Sequence, residues 1–297
     1  MLGITFISLC VTLALGRRVV DLTHTFDQNA PKYPLEQWVD KGLDWNMFRM
    51  TTLMAKYIGP QNRTWLTLKV TEYYEHQGTH MDAPMHSARG GEDMASISPE
   101  RLVGPGIVID VTDKAESDVN YAVTVEDLKK YEADHGRIPP GAIIMMNSGW
   151  ARKYPDSNKV FGSQNLSDPL SFRFPGFSLE ACKFMLNKRQ VSVVGVDTPS
   201  VDPGIAPEYY CHNHLQPSGV PLLEYVANLD AIPVRGSTIV LGAIKMREGT
   251  GGPTRIFALL DDENDGFING ANSVSSRGAI GLLSLSTLYV LCQAVYF

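Results

Sequence analysis

The chain has 297 residues, of which 44% are hydrophobic, so it is long enough to bury the core of a sizeable domain. Its formal net charge of −6 argues against nucleic acid as a partner, because binding to phosphate backbones needs an excess of basic residues. The sequence also lacks internal repeats and the glycine motifs of nucleotide-binding loops.

The first sixteen residues form an apolar run without a charge, and small residues occupy the two positions that a signal peptidase reads. The run is short for a membrane anchor, so it predicts a secretory signal peptide over residues 1–16. Two N-glycosylation sequons, at Asn62 and Asn165, are consistent with a secreted chain.

Residues 65–74 alternate in polarity and are rich in β-branched and aromatic side chains, which predicts a strand. The segment that follows, residues 76–86, reads His-Gln-Gly-Thr-His-Met-Asp-Ala-Pro-Met-His. It contains three of the seven histidines of the chain, a concentration that composition does not explain. Imidazole and carboxylate together are typical ligands of zinc or manganese.

If the extended conformation continues, His76, Gly78, His80 and Asp82 lie on one face, and the glycine leaves room for a metal near the backbone. A helix would also bring the first two histidines together, but Gly78 and Pro84 argue against a helix. The alternative is a strand end that carries surface histidines. The clustering favours a metal site.

Four further runs, residues 106–111, 142–147, 191–196 and 238–243, predict strands, and several are apolar throughout, as in strands covered on both faces. Helices are expected between them. Thr124 is followed three residues later by an aspartate, which predicts a helix start, and a second helix is expected from Ser178. The layout predicts an α/β fold with helices packed on a central, partly closed mixed sheet.

Cys182 and Cys211 are the two cysteines outside the terminal apolar segments, and an oxidising compartment permits a disulfide between them. Two buried thiols are the alternative, because the sequence does not give the distance between them. Further candidate metal ligands follow at His212, His214 and Glu224. Spacing does not choose between the two histidines.

Residues 279–297 are apolar, uncharged and long enough to cross a bilayer, but no basic residues follow them. Small residues and a short polar spacer precede this tail. The pattern predicts a signal for a glycosylphosphatidylinositol anchor over residues 269–297, with attachment between Asn269 and Ser273. A retained transmembrane helix is the alternative. The expected mature domain is residues 17–268, displayed at the cell surface or outside the cell.

The segment 76–86 resembles the signature of the cyclase family, which includes bacterial kynurenine formamidases and isatin hydrolases. Residues 20–24 resemble the opening strand of that family, and residues 195–200 resemble an internal strand and turn. His212 and Glu224, twelve residues apart, match a further pair. The resemblance implies a small α/β fold around a β-barrel-like core, and a homo-oligomer.

The resemblance also implies the metal ligands. The matches to His76, His80 and Asp82 hold one metal in the kynurenine formamidases. The matches to Asp82, His212 and Glu224 hold a second metal there, with the aspartate bridging. Isatin hydrolases are described with a single manganese, so the implied cofactor is one or two divalent ions, zinc or manganese.

The match to His86 is the proton donor and acceptor, and a further ligand or an outer-shell residue is the alternative role. Tyr33 occupies roughly the place where the formamidases carry a tryptophan that packs against the substrate. The implied activity is metal-dependent hydrolysis of an amide-like C–N bond in a small molecule. It is expected to resemble that of an arylformamidase, with a cyclic amide hydrolase of the isatin type as the alternative.

Two other classes of protein fit the residues less well. A membrane-tethered binding protein of the same fold would not need His86 or a full ligand set, and all of these residues are present. A structural zinc site usually contains cysteine, and residues 76–86 contain none.

Overall fold

The computed structural model describes residues 18–34 and 48–260, all of which lie in one compact unit, Met1–Asp261. The predicted signal peptide at 1–16 and the predicted anchor signal at 269–297 lie outside the described residues. Within the two described ranges, no helix is long and apolar enough to cross a membrane.

The described ranges are rich in strands and contain only short helices. The strands are β1 (Arg18–Asp21), β2 (Arg49–Ile58), β3 (Thr64–Glu72), β4 (His80–Asp82), β5 (Val103–Asp110), β6 (Ala122–Val123), β7 (Ile143–Asn147), β8 (Gly176–Phe177), β9 (Val193–Val196), β10 (Leu222–Glu224), β11 (Arg235–Ala243) and β12 (Gly251–Leu260). The α-helices are α1 (Thr112–Ser117), α2 (Val125–His135), α3 (Ser157–Phe161), α4 (Leu179–Phe184) and α5 (His212–Leu215). Short 3-10 helices lie at Pro84–His86, Pro99–Arg101, Trp150–Lys153, Pro169–Ser171, Gln216–Ser218 and Leu229–Ala231, and a π-helical turn at Met185–Arg189.

Seven strands close into a barrel in the order β12, β11, β5, β7, β9, β10 and β4, because β4 pairs with both β10 and β12. The strands β5, β7, β9 and β10 run parallel, and the other pairs in the barrel are antiparallel. β1 extends the sheet through β12, and β2 and β3 form a separate ribbon. The expected α/β fold with a barrel-like core is therefore confirmed.

The apolar strands are buried on both faces, as their sequences predicted. On β7, Ile143 and Met145 face the barrel interior, whereas Ile144 and Met146 face the outer apolar layer. Helices cover that outer layer, so side chains on both faces of the strand leave water. A seven-strand barrel of this size is filled by its own side chains.

The two helix starts that the sequence predicted are present. The Thr124 hydroxyl accepts a hydrogen bond from Asp127 N at 3.2 Å, and the Asp127 carboxylate accepts one from Thr124 N at 2.8 Å. At the start of α4, the Ser178 hydroxyl accepts a bond from Ala181 N at 3.2 Å. Both helices pack their buried side chains on the outer face of the barrel.

The prediction that the extended conformation continues from residue 74 through the histidine cluster is wrong. β3 ends at Glu72, and a turn separates it from β4. Gly78 forms this turn with a φ of +60°, and a Cβ there would lie 3.2 Å from both Phe26 and the Tyr154 hydroxyl. The glycine is therefore needed for the turn and its packing, and not to make room for a metal.

Candidate metal centre

Strand register places three of the candidate ligands on one face. In the antiparallel pair of β4 and β10, Glu224 lies directly opposite His80. Met81 and Leu223 point into the barrel, so the alternation of side chains sends His80, Asp82 and Glu224 to the outside. All three are buried there, with exposed fractions of 1%, 1% and 6%.

The donor atoms of the five predicted ligands converge. His76 Nδ1 lies 2.6 Å and His80 Nε2 lies 3.0 Å from Asp82 Oδ1. On the other side, His212 Nε2 lies 3.4 Å from Asp82 Oδ2 and 3.6 Å from Glu224 Oε1. His80 Nε2 is also 3.5 Å from Glu224 Oε2. Asp82 therefore lies between two groups of ligands, as a bridging carboxylate would.

The structure brings His212 to this point and leaves His214 away from it. Among the described residues, His212 has a ring nitrogen within 4.8 Å of Asp82 and His86 donor atoms, whereas His214 belongs to no such group. One disulfide and one hydrogen bond hold the backbone at Cys211, directly before His212. A disulfide joins Cys211 to Cys182 of α4, and the Asp202 carboxylate accepts a bond from Cys211 N at 2.6 Å.

Each histidine has its other ring nitrogen bonded to a fixed partner. His80 Nδ1 lies 2.8 Å from the Gly78 carbonyl, which only accepts, so Nδ1 carries a proton and Nε2 is the ring nitrogen that can bind a cation. His212 Nδ1 lies 2.7 Å from Asp202 Oδ2, so its Nε2 is the ring nitrogen that faces the centre. Such outer partners are typical of metal-binding histidines.

Two buried polar atoms at the centre, His80 Nε2 and Asp82 Oδ2, make no well-aligned hydrogen bond among the described residues, although each lies 3.0–3.4 Å from another candidate ligand. A buried polar atom without a partner costs about 1–3 kcal/mol, and a charged one costs more. A divalent cation among these donors would satisfy both atoms. The residues present therefore fit the metal that the sequence predicted.

The charges at the site indicate the same need for a cation. Burial opposes the charged form of His80, but Asp82 and Glu224 outweigh burial and raise its pKa to about 9. Burial, aided by the charge of Asp82, raises the pKa of Glu224 to about 8. Without a metal, protons must supply the positive charge that these two buried carboxylates require.

His86 lies beside the ligand group on the 3-10 helix that follows β4. Its ring centroid is 4.0 Å from that of His76 and 5.9 Å from that of His212. The residue is exposed, whereas the predicted ligands are buried. Part of the side chain is accessible from outside, but desolvation of the ring still lowers the pKa of His86, which favours the neutral imidazole.

A cavity of about 270 Å³ opens directly onto this group. Four tyrosines form part of its wall, namely Tyr33, Tyr74, Tyr209 and Tyr225, and the remaining lining residues are His76, His86, Ser87, Ser200, His212, Asn213 and Glu224. Tyr33, which was expected at the substrate, is held edge-to-face against Phe161 and Phe172. A larger cavity of about 1000 Å³ contains none of the predicted ligands, so size does not identify the site.

Sequence reasoning missed several residues at this site. The tyrosines at 74, 209 and 225 belong to no motif and come from separate segments. Asp202 was also missed, although it is the buried carboxylate that orients His212. Only its position ten residues before a candidate ligand could have drawn attention to it.

The two sequons lie on the surface. Asn62 is exposed in the turn between β2 and β3, and Asn165 is exposed in the loop after α3. Both positions are accessible to a glycosyltransferase. Glycosylation itself stays a prediction.

The comparisons with known proteins agree with this geometry. The family model described as "Putative cyclase" matches residues 20–203, which contain the segment 76–86 but end before His212. An isatin hydrolase of Roseibium aggregatum is 30% identical over 194 residues, which cover 63% of this chain and 72% of that relative. A kynurenine formamidase of Bacillus cytotoxicus is 27% identical over 180 residues, covering 61% and 74%. The solved structure of isatin hydrolase A from Ralstonia solanacearum has a TM-score of 0.70 at 28% identity, covering 87% of this chain and 98% of that one.

Proposed function

Because the chain belongs to the cyclase family of metal-dependent hydrolases, we propose that it hydrolyses an amide C–N bond in a small aromatic molecule. One observation carries the proposal. The donor atoms of His76, His80 and Asp82 converge behind a tyrosine-lined cavity, whose wall includes His76 and the neutral imidazole of His86. A buried ligand group that opens onto a cavity is typical of a catalytic metal site.

The wall of the cavity supports an aromatic substrate, because tyrosine rings offer flat apolar surfaces with a polar edge. Burial raises the pKa of both Tyr33 and Tyr209, so their phenols stay protonated and can donate hydrogen bonds. A cyclic amide of the isatin type is the first candidate, since an isatin hydrolase is the more identical of the two relatives compared. An aryl formamide, which the sequence placed first, is the second candidate.

The residues of the site have two roles, which are metal binding and proton transfer. His76, His80, Asp82, His212 and Glu224 would hold one or two divalent ions. A bound divalent metal polarises the amide carbonyl and lowers the pKa of water. His86 accepts a proton from the attacking water and returns it to the departing nitrogen as the C–N bond breaks, so no net proton is consumed at the histidine.

The substrate class is tested by turnover with two compounds. Protein loaded with manganese or zinc is expected to open the ring of isatin with a higher kcat/KM than it shows for the deformylation of N-formylkynurenine. Both reactions are followed by absorbance, and metal-stripped protein is the control. The reverse order of kcat/KM would favour the formamidase. If the metal-loaded protein hydrolyses neither compound, the alternative of a non-catalytic binding protein with the same fold would be favoured.

We also propose that the mature chain is tethered by a lipid at its C-terminus. A phospholipase specific for phosphatidylinositol is expected to release the protein from membranes of cells that express the full chain. The released protein should lack the apolar tail at 279–297. Detection of an intact C-terminal peptide by mass spectrometry would instead support a transmembrane helix.

The homo-oligomer implied by the family also stays a proposal. The ribbon of β2 and β3 supports it, because several of its large apolar side chains are exposed, namely Met50, Leu53, Tyr57, Trp65, Leu68 and Val70. Light scattering on the purified protein is expected to give a mass at least twice that of one chain. A monomeric mass at micromolar concentration would contradict it.

A further inference from the structure

A hydrogen-bonded chain leads from Glu75 to His76 through Thr250, at the start of β12. The Thr250 hydroxyl lies 2.6 Å from Glu75 Oε2 and 2.9 Å from His76 Nε2. The same carboxylate oxygen accepts bonds from Thr250 N at 3.0 Å and Gly251 N at 3.3 Å. Glu75 thus fixes the backbone and the hydroxyl of the residue that contacts the histidine.

The direction of these bonds follows from the groups involved. Glu75 Oε2 already accepts bonds from two backbone N–H groups, so it acts as the acceptor and the Thr250 hydroxyl donates its single proton to it. The lone pairs of that hydroxyl are then left to face His76 Nε2, which must donate. His76 therefore carries a proton on Nε2, and Nδ1, which lies 2.6 Å from Asp82 Oδ1, is the ring nitrogen that faces the centre and can bind a cation there.

His76 is oriented in the opposite sense to the other two histidines. His80 and His212 are protonated on Nδ1 through Gly78 O and Asp202, and they present Nε2 to the centre. His76 presents Nδ1. With the other tautomer, His76 would direct an N–H at the position where a cation must bind.

Close packing at β12 reinforces the orientation of this ring. A Cβ at Gly251 would lie 2.7 Å from His76 Cε1 and 3.0 Å from His76 Nδ1, so the ring rests against the glycine backbone. Gly251 is also the residue that pairs with Asp82 where β12 closes the barrel onto β4. The bonds from Glu75 therefore hold the strand end against which the ligand packs.

We propose that Glu75 and Thr250 are positioning residues that hold His76 as the Nε2–H tautomer and thereby set the affinity of the site for a divalent cation. This inference rests on the proposed metal centre. It adds two residues that touch neither the cation nor the substrate, and it assigns Nδ1 as the ligand atom of His76. Outer partners of this kind change metal affinity by about 10–100-fold when they are removed.

The test compares two substitutions at one position in the full chain. Thr250→Val keeps the shape of the side chain but removes the hydroxyl, and it is expected to raise the Kd for Co²⁺ by about 10–100-fold. Thr250→Ser restores the hydroxyl and is expected to bind Co²⁺ nearly as wild type does. Glu75→Gln should also raise the Kd for Co²⁺, as Thr250→Val does. The Kd values come from competition with a chromogenic chelator.

Thr254→Val is the matched control, because Thr254 is a buried threonine of β12 whose hydroxyl donates to Gly252 O. This variant should keep the wild-type Kd. An unchanged Kd for Co²⁺ in Thr250→Val would overturn the inference. So would a Kd in Thr250→Ser as high as that in Thr250→Val, or an equal rise of the Kd in Thr254→Val. If wild type itself binds no Co²⁺, the metal centre fails; if wild type binds and Thr250→Val binds equally, only this inference fails.

A second measurement does not depend on the folding of a variant. Nitrogen-15 NMR of histidine-labelled wild type loaded with Zn²⁺ should show one metal-bound ring protonated on Nε2, and none of the rings at 80 and 212 in that form. Metal-bound rings that are all protonated on Nδ1 would refute the assignment of His76.

Discussion

Replacing His86 with alanine is expected to lower kcat by a factor on the order of 10² to 10⁴, the usual contribution of a general acid–base. Metal content should stay near that of wild type. The physical reason is position, because His86 lies at the cavity with a neutral imidazole while five buried side chains supply the converging donor atoms. The variant loses proton transfer and keeps the ligands.

The measurement pairs turnover on one hydrolysed substrate with elemental analysis of the same preparation. His135→Ala is a suitable control, because His135 is an exposed histidine at the end of α2 and lies outside the ligand groups and the cavity. It should keep the wild-type rate. Wild-type turnover in His86→Ala would refute the proposed mechanism.

Replacing His80 with alanine is expected to reverse that order of effects, with loss of metal first and loss of activity as a consequence. His80 Nε2 lies within 3.0 Å of Asp82 and 3.5 Å of Glu224, so it contacts both acidic ligands. Its removal leaves two buried carboxylates with one neutralising partner fewer. The fall in metal affinity should exceed the roughly 10–100-fold seen when an outer partner is removed.

Elemental analysis after dialysis should show His80→Ala with little bound metal, and added metal should restore activity only in part. His214→Ala is the matched control, because this histidine lies near His212 in sequence but belongs to none of the ligand groups. It should retain metal. If His86→Ala loses metal as completely as His80→Ala, then His86 is a ligand and another group moves the proton.

The sequence alone determined the features that depend on local order. The spacing of His76, His80 and Asp82 identified one side of the metal centre, since three candidate ligands of two types fall within seven residues. Apolar runs predicted strands buried on both faces, and the pairing of Thr124 with Asp127 predicted a helix start. Resemblance in the same segments was enough to identify the family and its barrel-like core.

Only the tertiary structure decided which distant groups meet. Resemblance to the family favoured His212 over His214, but the disulfide and the Asp202 carboxylate that hold His212 in place are visible only in the folded chain. Glu224 faces the centre because β10 pairs with β4 in a register that places it opposite His80.

The same limit applies to the cavity and to the partners of the ligands. The tyrosines of the wall and Thr250 come from segments far apart in the chain, and barrel closure by β12 onto β4 brings Thr250 to His76. Local patterns report which face of a strand is buried. Strand pairing depends on burial and hydrogen bonding over the whole barrel. Local patterns do not contain that information, because these interactions form only when the chain has folded.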